Sequence, residues 1–208
     1  KSNDYWGDNG RVDLDLSLVS LSAKYGWNSF YRSEERDILF SGDVTDAPLP
    51  NGASEFYYIK TQKNENYSLM LNNFNRSDKE VQYKIIIGSE KVERLNKNYM
   101  VNPNNVIGII PSKIKVEPQK TLGLIITSPK ENRFIFCETG LGNTIVSRNN
   151  TYTNQAREFM INFYNDSINF NTILEEAGAK IVRTNKNCDI DLSPEKIEKD
   201  TLIKLLTK

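Results

Sequence analysis

No histidine occurs among the 208 residues. Histidine is the commonest general base near neutral pH and a leading ligand for zinc, copper and non-haem iron, so its absence demotes Ser–His–Asp triads, zinc hydrolases and facial-triad oxygenases together. Chemistry in this chain must rest on carboxylates, hydroxyls, lysine or an oxygen-ligated metal. Cysteine is scarce: Cys137 and Cys188 alone have neither the spacing of a zinc ribbon nor that of a disulfide framework, and they read as free thiols of a reducing compartment, the cytoplasm. No apolar run approaches the roughly 20 residues needed to span a bilayer, so membrane insertion is not expected. Lys plus Arg and Asp plus Glu both number 27. With no net charge, nothing draws the chain as a whole toward nucleic acid or an anionic surface. The chain opens on Lys1 rather than Met, which leaves room for a place in a larger chain or assembly.

What is abundant is strand signal. In Val12-Asp-Leu-Asp-Leu-Ser-Leu18, Leu14, Leu16 and Leu18 alternate with Asp13, Asp15 and Ser17, a period of two. Further strands are predicted over 37–40, 56–61, 67–72, 81–87, 106–110, 122–127 and 133–137, rich in β-branched and aromatic residues and separated by Gly, Asn, Asp and Pro turns. With no long helix between them, the expectation is all-β dominated: an antiparallel β-sandwich of two sheets with short C-terminal helices packed on it.

The last third changes period. Ala156, Phe159, Met160 and Phe163 recur at helical spacing, as do Ile173, Leu174 and Ala177 before Gly178. A final helix is expected with Ser193 as N-cap, Pro194 at its first position and Ile197, Leu202 and Leu205 on one stripe. The chain thus divides into a sandwich domain over 1–182 and a connection plus helix over 183–208.

The chemistry concentrates in one acidic constellation. Asp13 and Asp15, two apart on a strand, point to the same face, and a Gly-punctuated loop follows with Ser41, Gly42, Asp43, Thr45, Asp46, Asn51, Ser54 and Glu55. Calcium takes six to eight hard oxygen ligands in flexible geometry, and carboxylates, hydroxyls, an amide and loop carbonyls can supply them without nitrogen or sulfur. The alternative is plain: Asp43, Asp46 and Asn51 as turn residues, and Asp13 and Asp15 facing water. Elsewhere, Asp189 and Asp191 read as charges at a helix start, Gly140-Leu-Gly142 as a loop, the Phe56, Tyr57, Tyr58 and Tyr67 group as core and cross-strand pairing, and Cys137 as a small buried hydrophobe.

The strand Val12 to Leu18, followed by Phe40-Ser-Gly-Asp-Val-Thr-Asp-Ala-Pro48 and then by Asn51-Gly-Ala-Ser-Glu-Phe56, resembles the TerD family of tellurium-resistance proteins. The likeness covers about residues 5 to 182 and is densest up to Asn75. It implies a calcium-binding β-sandwich whose ligands come from Asp13, Asp15, Gly42, Asp43, Asp46 and Glu55, with Asn51 and Ser54 as oxygen donors. Where many members carry a Gly-Asp-Asp-Glu stretch, this chain has Asn51-Gly-Ala-Ser-Glu55, which implies one ion rather than two. The resemblance also implies a non-enzymatic binding or scaffold protein of bacterial stress response or conflict systems, acting on protein partners. Two other readings stay open: a carboxylate-dependent hydrolase using the same acids, and a metal-free structural domain of a larger assembly.

Overall fold

The computed structural model describes residues 13–45, 52–74, 80–92, 94–115, 117–140, 155, 158–159, 161–163, 166, 168, 170–182, 188–193 and 196–207. Among the described residues nine strands are formed: β1 (Leu14–Val19), β2 (Lys24–Gly26), β3 (Ile38–Phe40), β4 (Tyr57–Ile59), β5 (Glu65–Asn73), β6 (Val81–Gly88), β7 (Val106–Ile114), β8 (Gln119–Thr127) and β9 (Asn132–Gly140). All pair antiparallel, in a five-stranded sheet of order β2-β1-β5-β8-β9 and two ribbons, β3–β4 and β6–β7. Strand dominance is therefore as the alternating pattern indicates, but the layer facing the large sheet is divided into two ribbons.

The period of two decides which residues meet. Leu16 lies opposite Leu71 and Leu18 opposite Leu69, and these side chains pack with Leu14, Tyr67 and Leu122 of the sheet against Ile38, Val81, Tyr83 and Ile114 of the ribbons in one core. The other face of the sheet is covered too. Ser17 and Met70 are fully buried, and Leu124 packs with Ile126, Ile135 and Cys137 against Ile161. Ile161 lies in the predicted 156–163 helix, of which residues 158–159 and 161–163 are helical, so this helix packs on the sheet.

Among the described residues α-helices also form at α1 (Phe170–Glu176), which buries Leu174, and α2 (Lys199–Leu206). The last helix starts later than Ser193. Asp191 Oδ1 accepts from the Ser193 N–H and hydroxyl, and Asp191 Oδ2 accepts from Lys196 Nζ at 2.9 Å, closing a local turn. The helix then begins after Glu198, whose N–H donates to Thr201 Oγ1 at 3.2 Å. Ser193 O accepts from Lys196 N at 2.8 Å and from Ile197 N at 3.0 Å in a single turn, and the helix proper has its N-cap at Glu198 rather than Ser193.

Candidate metal centre

The site forms where β1 has an edge without a strand beside it. β2 pairs only with Ser17 to Val19, which leaves the outward N–H and C=O of Leu16 without a ladder partner. Side chains from the segment entering β4 take that place. Glu55 Oε2 accepts from Leu16 N at 2.7 Å, and the Tyr57 hydroxyl donates to Leu16 O at 3.2 Å and to Tyr25 O at 2.8 Å. Burial pushes the Tyr57 hydroxyl well above its ordinary pKa, and the charges of Glu55 and Asp15 push the same way, so it remains a donor. Gly26 makes the close approach possible: its φ is +143°, and a Cβ there would stand 2.6 Å from Leu16 O and 2.9 Å from the Tyr57 hydroxyl.

The same Glu55 holds the Gly-Asp loop. Its Oε1 accepts from Val44 N at 2.9 Å, so one carboxylate bridges β1 and the segment after β3. Ser41 Oγ accepts from Phe56 N at 2.9 Å and closes the loop's other side. Gly42 adopts φ +101°, where an L side chain is strained, and a Cβ would lie 3.3 Å from Lys97 Cγ. The turn therefore delivers Asp43 to the carboxylates of β1.

One carboxylate oxygen from each of Asp13, Asp15 and Asp43 lies within 4.8 Å of the other two. That is about twice a calcium–oxygen bond of roughly 2.4 Å, the largest separation two ligands of one ion can have. Asp13 and Asp15 are 3% and 2% exposed, so they do not face water. Asp43 Oδ1 is buried and accepts no hydrogen bond. An all-carboxylate donor set suits a hard divalent cation and lacks the nitrogen and sulfur that zinc or copper would select.

The remaining sequence-derived candidates divide. Glu55 stands outside the three-carboxylate group, with a backbone N–H on each oxygen. Ser54 faces a different partner: its N–H donates to Asn98 Oδ1 at 3.0 Å and its hydroxyl to Tyr99 O at 2.9 Å. Asp46 and Asn51 lie outside the described residues. Two groups went unnoticed in the sequence. On the face of Asp15, Asn72 donates to Ser17 Oγ at 2.9 Å and to Asp15 O at 3.1 Å, and accepts from Gln119 Nε2 at 2.6 Å. The β6–β7 connection folds onto the loop, with Tyr99 edge-on to Phe56 at 5.9 Å and Glu90 accepting from the Tyr99 hydroxyl at 2.7 Å. Asn-rich loop composition is the only signal that hinted at either.

Cys137, expected as a small buried hydrophobe, is half-buried, and burial pushes its thiol up to about 11, so it stays protonated at neutral pH. No model of a known family, no curated protein and no solved structure matches the chain.

Proposed function

We propose that this chain is a TerD-like calcium-binding module of the bacterial cytoplasm, acting by recognition of a protein partner rather than by catalysis, in stress response, tellurium resistance or conflict systems. The observation that carries the reading is the three-carboxylate group of Asp13, Asp15 and Asp43, drawn from the start of β1 with the residue before it and from the loop after β3. Like charges this close repel, and burial strengthens the repulsion, so a divalent cation is the natural stabiliser. Bound there, the ion would fasten the Gly42–Asp43 turn to β1 and order that end of the sandwich for a partner. The hydrolase reading has less support: an open cavity of about 660 Å³ is lined by Ser29 to Glu34 and Arg36 and includes none of the three carboxylates.

Thermal melts in calcium and in chelator test the reading. A hundredfold excess of ion over its Kd stabilises the fold by about 2.7 kcal/mol, roughly 5–10 °C for a domain of this size. Asp43→Asn should abolish that difference while melting no lower than wild type in chelator, because the substitution removes one of three repelling charges. Identical wild-type curves in calcium and chelator would sink the proposal.

A further inference from the structure

The β6–β7 ribbon projects an apolar surface that the core does not use. Its inner face gives Val81, Tyr83, Ile85 and Ile114 to the core. An outer face opposite such a core is ordinarily polar, and near the ribbon's base it is: Gln82 pairs with Lys113 and Lys84 with Pro111. One pair further on the character reverses. Ile86 lies opposite Ile109, Ile107 follows two residues along β7, and Met100 stands in the connection. Ile86, Ile109, Ile107 and Met100 are 38%, 56%, 71% and 81% exposed.

The same hairpin carries exposed cations, Lys84 on β6 and Lys91 and Arg94 in the connection, while Lys97 lies beside the Gly42 turn. Glu90 is turned inward, accepting from the Tyr99 hydroxyl at 2.7 Å, Asn105 Nδ2 at 3.0 Å and Asn102 N at 3.4 Å. Glu80, at the base, is engaged by Lys113 and Lys115. Glu93, the other acid of this stretch, lies outside the described residues. The chain is neutral overall, yet among the described residues of this hairpin and its connection exposed cations outnumber acids, a field felt over a Debye length of about 8 Å at physiological salt.

We propose that the end of the β6–β7 hairpin docks on an anionic lipid bilayer, with Ile86, Ile107, Ile109 and Met100 entering the acyl boundary and Lys84, Lys91 and Arg94 at headgroup level. Charge complementarity selects this occupant. A second copy packed on the same patch would set these cations against their symmetry mates. A protein partner would be expected to anchor on Trp or Tyr seated in pockets, whereas this patch is aliphatic and projecting. Apolar insertion and electrostatic attraction act together in such surface binding, each weak alone. The protein would lie on the bilayer, since no helix among the described residues is long and apolar enough to cross one. This surface is argued independently of the ion at Asp13, Asp15 and Asp43.

The test is co-sedimentation of the full chain with vesicles of equimolar phosphatidylserine and phosphatidylcholine, against phosphatidylcholine alone, each in calcium and in chelator. Binding is expected to the anionic vesicles in both conditions and to weaken with salt. Ile107→Asp with Met100→Asp, and separately Lys91→Glu with Arg94→Glu, should each reduce it by about tenfold or more, with melting curves verifying that these exposed changes leave the fold intact. Three outcomes would overturn the proposal: no sedimentation in chelator, binding that requires calcium and survives both double substitutions, or retention on an acidic polypeptide without any vesicle binding. None of these depends on whether calcium stabilises the fold.

Discussion

Glu55 does at one residue what a neighbouring strand would do for β1. Its two oxygens accept from Leu16 and Val44, backbone groups 28 residues apart in sequence. Glu55→Ala should therefore cost about 3 kcal/mol, since two backbone donors lose a charged acceptor. The loss should be present in chelator as well as in calcium, as read from urea unfolding. A loss confined to calcium would make Glu55 an ion ligand instead. That role was hidden in the sequence because it depends on which chain segments meet, whereas Asp13, Asp15 and Asp43 were legible from a period of two and a Gly-Asp turn. Asp37 gives a pH-dependent counterpart. Burial raises its carboxyl, but hydrogen bonds from Ser33, Thr61 and its own N–H outweigh this and hold it below its ordinary value. A depressed folded pKa stabilises above the unfolded value and is lost as pH falls through the folded one. The stability gap between wild type and Ser33→Ala should accordingly narrow on acidification from pH 6 toward roughly pH 2; a gap that widens would contradict it.

At the scale of elements, eight of the nine strands were marked by alternation or β-branched composition, because burial on one face imposes a period that the residues must follow. β2 (Lys24–Gly26) was missed: Lys-Tyr-Gly lacks the β-branched residue that marked the equally short β3 and β4, and its place is set by pairing with Ser17, Leu18 and Val19. Its last residue nonetheless controls the site. Gly26→Ala would drive a Cβ into Leu16 O at 2.6 Å and the Tyr57 hydroxyl at 2.9 Å in a backbone conformation that alanine disfavours. A destabilisation of about 3 kcal/mol is expected from strain and the displaced hydrogen bonds, measured by denaturant midpoint at unchanged m-value. Loss below about 0.5 kcal/mol would mean that β1 does not need this approach. The late start of α2 is a different kind of miss, since Asp191, Ser193 and Lys196 engage one another before the helix begins. A capping pattern read along the chain does not rank such competing turns.

For the whole molecule, the sheet and its two ribbons share one core, and side chains across their edges bring three acids from two segments together. Composition excluded imidazole chemistry, and burial of Asp13 and Asp15 removes the reading in which they merely face water. What composition concealed is distribution: a chain of zero net charge can still carry a cationic, aliphatic hairpin. The central claim is that the three carboxylates hold one calcium ion, and calorimetric titration of the chelator-treated full chain with calcium measures that most directly. The account predicts a saturable heat with one ion per chain that disappears in Asp13→Asn and in Asp43→Asn; no heat, or the same heat in both variants, would contradict it.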